Sequence, residues 1–347
     1  MNPLISIIIL NYNAGELLLN CVDSVFKSKY RNFEVILVDN VSNDNSHKKC
    51  KEKFPKIKLI ENNTNLGYCE GNNVGLRRSQ GEFIVILNPD TIVESDWLNH
   101  FLEAYNMFGE GLYQPKILSL DNPERFLSSG NMLHVFGFGY PRDRGIIDEK
   151  QYDKIEKIGY ASGTCLFTST KVLKKIGFLD SFLFLYHDDL DLGWRAAHLG
   201  INSFYVPNAT ILHAESYALS WSAKKFYWLE RNRKYCVKTH YSKKTYKKIF
   251  PYLVLVDIFV WIFYLSKGFV GSKIKAELDI FRNRKYIEKR YLELENKKIK
   301  SDLEIIKSFP DNILVPSNMY GKKSNNFINK ILIWASKKVK SILTEIN

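Results

Sequence analysis

Residues 186–195 read YHDDLDLGWR, which puts Asp188, Asp189 and Asp191 within four positions. Carboxylates this close repel one another, so an environment or a reaction must account for them. One reading is chemical: a single carboxylate facing a hydroxyl can act as its general base. The other is structural. Leu192, Ala196 and Leu199 recur at helical spacing behind the acids, and a helix N-terminus favours negative charge. Three more polar residues stand where apolar runs stop: Asn11 after SIIIL, Asp39 after FEVILV, and Asp90 at the end of EFIVILNPD.

Those runs are the elements that must position the chemistry. Residues 4–10, 33–38, 58–62 and 82–90 are predicted strands. Between the first two, Leu18, Cys21, Val22, Val25 and Phe26 have helical spacing. A polar helix follows the second strand, and the segment NLGYCEGNNVGLRRS is a glycine-punctuated turn feeding another. Strands alternating with helices give a mostly parallel α/β sheet flanked by helices. Ligands collect at the carboxyl ends of such strands, where Asn11, Asp39 and Asp90 sit. From 110 to 215 the pattern is less regular and is expected to complete the same domain.

Charge divides the chain. Residues 1–220 hold 22 Lys and Arg against 26 Asp and Glu, net −4, whereas residues 221–347 hold 28 against 11, net +17. The expected organisation is therefore an α/β domain over 1–220 and a basic, partly amphipathic helical extension over 221–347. Within the extension, Phe250–Leu265 is apolar for 16 residues and carries Asp257; a membrane span needs nearer 20, so a helix lying on the membrane or shallowly inserted is expected, with a buried core helix as the alternative. The last segment puts Ile328, Ile331, Leu332, Ala335, Val339 and Ile342 on one face, with lysines mostly elsewhere, and is read as a second membrane-surface helix rather than one docked on its own domain. The basic segment interleaves lysines with long apolar stretches and has no nucleic-acid motif, which excludes nucleic acid as the expected partner. Five scattered cysteines without a CxxC pair argue for reduced thiols, not zinc or disulfides. The N-terminus lacks a signal-peptide pattern, so the expected location is the cytoplasmic face of the cell membrane.

Six segments occur in a familiar order: LNYN, VDNVSND, NLGYCEGNNVG, LNPD, IGFLDSFLFLYHDDLDLGWR and VPNATILHA. Together they resemble the inverting glycosyltransferases of family 2, which share the GT-A nucleotide-diphospho-sugar transferase fold, and within them the rhamnosyltransferase- and galactofuranosyltransferase-like group. The resemblance covers about 210 residues, the length of one domain.

It implies a transferase using a UDP- or dTDP-sugar and a glycan or lipid-linked glycan acceptor, with divalent Mn²⁺ or Mg²⁺ as cofactor. Donor-nucleotide contacts are implied for Asn11, Asn13, Asp39, Asn65, Gly67 and Asn88. A carboxylate such as Asp39 can accept the imide N–H of a pyrimidine; an Asx turn opening the next helix is the alternative, and both can hold together. Asn65 and Gly67 would bring backbone near the nucleotide, though a plain turn also explains the glycine. Asn88-Pro89-Asp90 stands where the family has its DXD metal motif, with Asn in place of the first acid. Asp90 and His213 are thereby implied as metal ligands, the metal offsetting diphosphate charge. The resemblance assigns the general base to Asp189 and acceptor contacts to Asp188, leaving Asp191 to the helix start. Crowding is expected to raise the base's pKa. Arg231 and Arg233 are expected on a solvated basic helix face. The alternative function is a nucleotide-binding protein without transferase activity, whose basic tail binds membrane or nucleic acid; the oligomeric state is left open.

Overall fold

The structure is a computed structural model and describes residues 2–214, 222–313 and 322–344. The chain forms two compact units: Met1–Asn131, Pro141–Ala196 and Ile201–Ala218 in the first, Met132–Tyr140, Ala197–Gly200 and Leu219–Asn347 in the second.

The first unit is built on a ten-stranded sheet. Its strands are β1 (Ile5–Asn11), β2 (Phe33–Asp39), β3 (Lys58–Glu61), β4 (Phe83–Leu87), β5 (Thr91–Val93), β6 (Gly111–Ser119), β7 (Phe126–Ser128), β8 (Glu156–Ile158), β9 (Cys165–Ser169) and β10 (Asn202–His213). The order is β8-β10-β6-β9-β4-β1-β2-β3, with β5 on β10 and β7 on β6. The alternating helices α1 (Glu16–Phe26), α2 (Ser46–Lys53) and α3 (Gly67–Leu76) act as crossovers, so β3, β2, β1 and β4 are parallel. β6 and β10 are parallel as well, while β9 runs antiparallel between β4 and β6. The irregular sequence between 110 and 215 thus builds a mixed half-sheet, which periodicity alone did not resolve.

β1 is buried along its whole length, as expected of a β-branched strand covered on both faces. On one face Ile5, Ile7 and Ile9 share a core with Leu18, Cys21, Val22 and Val25 of α1 and with Trp97 and Phe101 of α4 (Trp97–Phe108). On the other, α3 approaches closely enough that a Cβ on Gly71 would meet Leu10 Cδ1 at 2.6 Å, and one on Gly75 would meet Ile8 Cγ2 at 2.6 Å. These two glycines of the NLGYCEGNNVG segment serve helix-on-sheet packing. After β9 come α5 (Thr170–Ile176) and α6 (Asp188–His198).

The second unit contains α7 (Ala223–His240), α8 (Lys243–Ser266), α9 (Val270–Arg282), α10 (Arg284–Glu295), α11 (Asp302–Ile306) and α12 (Lys322–Thr344). Arg231 and Arg233 are both buried, contrary to the solvated face expected. Arg233 lies between Glu230 (2.7 Å) and Asp257 (3.3 Å), and Arg231 stacks on Trp228, 4.6 Å from the ring centroid. A second correction concerns α12. Leu332, Ala335 and Val339 are buried, while Lys340 pairs with Asp311 at 2.7 Å and Ser336 donates to the same carboxylate. Its apolar face is docked within the unit and is not available to lipid; Ile328 lies outside the described side chains.

Candidate active site

Asn11 and Asp39 end adjacent parallel strands in register. Asn11 is fully buried; its Nδ2 donates to Asp39 Oδ1 at 2.8 Å and to the hydroxyls of Ser42 (3.0 Å) and Ser46 (2.9 Å). Asp39 Oδ2 accepts from the Ser42 N–H at 2.9 Å, which closes the Asx turn that leads toward α2. His47 lies beside it, Nδ1 at 3.3 Å from Asp39 Oδ1 and Nε2 at 3.2 Å from Glu61. Asn13 has φ 55° and accepts from the Asn43 N–H at 2.7 Å. The VSND loop is thus fastened to the end of β1, and Ser42, Ser46 and His47 are partners that the sequence did not single out.

Asn65 Oδ1 accepts from the Gly67 N–H at 2.9 Å. Gly67 has φ +75°, and a Cβ there would sit 2.5 Å from Phe184 Cδ2 and 2.6 Å from the Phe184 carbonyl oxygen. That carbonyl accepts from Tyr68 N (2.6 Å) and Cys69 N (3.3 Å), closing the first turn of α3. The glycine is therefore required by the loop before α6. That loop carries three non-glycine residues in the left-handed region, Phe184, Tyr186 and His187, a concentration of backbone strain that tertiary contacts must hold in place.

Asn88 and Asp90 follow β4. Asp90 is buried, and the adjoining Thr91 pairs with His213 across β5 and β10. This brings His213 Nε2 to 3.1 Å from Asp90 Oδ2. Asn88 Oδ1 and Asp90 Oδ1 are both buried without a hydrogen-bond partner among the described residues. Two orphaned oxygens beside an imidazole are costly unless a cation or donor completes them. Oxygen and nitrogen donors of this kind suit a divalent ion such as Mn²⁺ or Mg²⁺. Cys21 lies under this turn; burial pushes its thiol up to about 12, so it is an inert packing group.

Residues 163–164, just before β9, join this turn to the acidic helix. Thr164 O accepts from the Asn88 N–H at 2.9 Å, and the Gly163 N–H donates to Asp189 Oδ2 at 3.0 Å. Tyr68 Oη donates to Gly163 O at 2.6 Å. A Cβ on Gly163 would lie 3.1 Å from Tyr68 Oη and 3.2 Å from Asp188 Oδ2. Tyr68 and Gly163 were missed; the one available signal was the glycine directly before a buried strand.

The three acids separate by environment. Asp191 is fully buried, with Oδ2 at 2.9 Å from Arg195 Nε and 2.8 Å from Nη2. The guanidinium also donates to the carbonyls of Ile176 (2.6 Å), Gly177 (3.1 Å) and Phe178 (2.9 Å). Asp191 is thus half of an ion pair fixing α6 to the end of α5, a stronger tie than the helix-start role expected. Burial raises the pKa of Asp189, offset in part by the N–H groups of Gly163 and Leu190 on its two oxygens. Asp188 is pushed well up by burial and then by the Asp189 charge. Crowding therefore acts mainly on Asp188, and burial is what lifts Asp189.

The sequence profile described as "Glycosyl transferase family 2" matches residues 6–177. The chain belongs to this family. It is similar to the N-acetylglucosaminyl-diphospho-decaprenol L-rhamnosyltransferase of Mycobacterium tuberculosis, 26% identical over 241 residues, or 63% of this chain and 78% of that protein. It also resembles the low-salt glycan biosynthesis hexosyltransferase Agl10 of Haloferax volcanii, 26% identical over 57% of this chain and 63% of that one. The fold matches GalNAc-T7, solved with UDP, GalNAc and Mn²⁺ (TM-score 0.59, 16% identity, 72% of this chain and 49% of that chain). It also matches a mannosyltransferase from Pyrobaculum calidifontis, solved with GDP-Man and Mn²⁺ (TM-score 0.50, 13% identity, 100% of this chain and 89% of that chain). The chain is a glycosyltransferase with the GT-A architecture, and the alternative of a binding protein without transferase activity falls.

Proposed function

We propose that this transferase inverts the anomeric centre as it moves a sugar from a UDP- or dTDP-sugar to a lipid-linked glycan, at a membrane surface engaged through α8 of its C-terminal unit, the docked α12 taking no part. The observation that carries the reading is the pair of buried oxygens on Asn88 and Asp90, without partners among the described residues and beside His213, joined through residues 163–164 to Asp189. The family resemblance and the rhamnosyltransferase relative, whose name specifies a diphospho-decaprenol acceptor, support the substrate classes.

Asn11 and Ser42 fix the Asp39 carboxylate at the base-binding end of the sheet, with Asn13, Asn65 and Gly67 shaping the loops beside it. Asp90 and His213, with Asn88 contributing an amide oxygen, would hold a divalent ion; when bound it offsets the charge on the departing diphosphate. Asp189 removes the acceptor hydroxyl proton as that oxygen bonds to the anomeric carbon and the sugar–phosphate bond breaks. A raised pKa makes an ionised carboxylate a better proton acceptor. Asp188, its carboxyl pushed well up by burial, would in its protonated form donate a hydrogen bond to an acceptor oxygen without adding a second charge.

The test is transfer and donor hydrolysis across UDP- and dTDP-sugars, with Mn²⁺ or Mg²⁺ and with chelator. One nucleotide series supporting metal-dependent turnover is expected; no turnover with any donor in the presence of a polyprenyl-diphosphate acceptor overturns the assignment.

A further inference from the structure

Helix α8 spans 24 residues with mean hydropathy 2.0 over its apolar window, yet only 17% of that window is buried. Its exposed side chains form a stripe: Phe250, Val254, Ile258, Ile262 and Leu265 are 43–69% exposed. Their spacing places all five on one helix face. Ile274, Leu278 and Phe281 of α9 are 45–64% exposed and repeat at the same kind of interval. Exposed apolar surface of this extent marks an interaction site.

The opposite face of α8, with Thr245, Ile249, Val256 and Tyr264, is buried against the protein, and an ion-pair cluster at the edge of the stripe ties the helix to its neighbours. Asp257, inside the apolar run, pairs with Lys273 of α9 (2.7 Å) and with Lys234 (3.1 Å) and Arg233 (3.3 Å) of α7. Lys273 is fully buried and also pairs with Glu230 (2.5 Å) and Glu277 (2.9 Å). If α8 crossed a bilayer, this cluster would either enter hydrocarbon or come apart, and uncompensated charge there is strongly disfavoured. The cations around the stripe sit at its rim. Lys244 and Lys247 precede it and Lys267 follows it, all exposed. Beside Phe281 a groove of about 570 Å³ is lined by Lys238, Lys243, Arg284, Tyr246 and Tyr291 together with Glu277 and Glu288; Glu288 pairs with Lys243 at 2.6 Å and Glu277 with Lys273 at 2.9 Å. Among the described residues Lys238 meets the Tyr246 hydroxyl and ring, and Arg284 the Phe281 carbonyl and ring, and neither has a carboxylate partner there.

We propose that the α8–α9 face lies in the plane of an anionic bilayer, with α8 embedded along its length and not spanning, and with the Lys238–Arg284 groove taking lipid phosphate. An apolar stripe with a basic rim is the pattern of an interfacial helix. The inference specifies the surface for the membrane placement proposed above and needs no assumption about donor or acceptor.

The experiment uses the full chain with phosphatidylcholine vesicles containing or lacking phosphatidylglycerol, separated by flotation. Wild type floats with anionic vesicles. Ile258→Glu/Ile262→Glu loses at least about tenfold in partitioning to both compositions, because two charges replace apolar side chains at the lipid-facing stripe. Lys238→Gln/Arg284→Gln loses binding only where anionic lipid is present. All five native cysteines are buried, so Lys244→Cys and Lys267→Cys can be probed by an impermeant maleimide outside the vesicles; both label. Overturning results are stripe variants that float like wild type, or protection of either cysteine, the mark of a span. Donor hydrolysis in detergent, measured on the same preparations, reports folding and the transferase reading separately.

Discussion

Replacing Arg195 with Met removes the guanidinium while keeping most of the side-chain volume. In the folded protein the pair with Asp191 is 3% and 0% exposed, so the substitution takes the guanidinium away from a fully buried carboxylate. Breaking a buried pair in this way costs about 3–5 kcal/mol. The three carbonyls of Ile176, Gly177 and Phe178 lose their donor as well. At about 2–4 °C per kcal/mol for a domain of this size, the melting temperature should fall by about 6–20 °C. Scanning calorimetry of Arg195→Met, Asp191→Leu and the double variant closes the cycle. The double variant should recover at least about 2 kcal/mol relative to Arg195→Met alone, because a buried ion pair replaced by apolar groups is often tolerated. Transfer should fall further in Arg195→Met than donor affinity, since α6 carries Asp188 and Asp189 whereas the donor residues lie on other elements. A single variant that loses less than about 1 kcal/mol, or a double variant no better than the single, would refute the view that this pair anchors the acidic helix.

The remaining predictions concern the site itself. On the proposal that Asp188 keeps its proton as Asp189 ionises, Asp188→Asn should leave the acid limb of the pH–rate profile where it is in wild type; a limb moved down by about one unit would signal a charge interaction of about 1.4 kcal/mol and contradict that order. The same variant should melt higher than wild type at pH 7. A raised folded-state carboxyl pKa costs stability above the unfolded value, so the gain should vanish below about pH 3.9; an equal gain at both pH values would mean another origin. Gly67→Ala should cost more than Gly15→Ala. Both residues have positive φ, worth about 1–2 kcal/mol, but only Gly67 meets Phe184, adding about 1–3 kcal/mol, and equal losses in urea melts would dismiss the contact. Asp90→Ala should abolish any Mn²⁺-dependent rise in melting temperature, and a retained rise would move the metal elsewhere.

The strand-end residues were legible because a parallel sheet fixes where chain polarity puts them: Asn11, Asp39 and Asp90 needed only the apolar runs before them. What pairs with them was less visible. His213 reaches Asp90 through β5–β10 register, a pairing between residues over a hundred positions apart. Asp191 and Arg195 are spaced i, i+4, so their contact was available in the sequence, but its weight comes from burial, which local spacing does not report. Lys273 is the same case, a lysine indistinguishable from its solvated neighbours until the acids of three helices converge on it. Periodicity found the apolar face of α12 correctly and could not say what covers it; the same signal in α8 belongs to a face left exposed.

The assignment of Asp189 is tested most directly by measuring transfer and donor affinity together for Asp189→Asn, with Asp188→Asn as the companion. The amide keeps the shape and can still accept from Gly163 or Leu190, but it cannot take a proton. Transfer should drop by about 10²–10⁴ while calorimetric donor affinity stays at the wild-type value, and Asp188→Asn should lose far less. Full transfer by Asp189→Asn with normal donor binding would contradict the account.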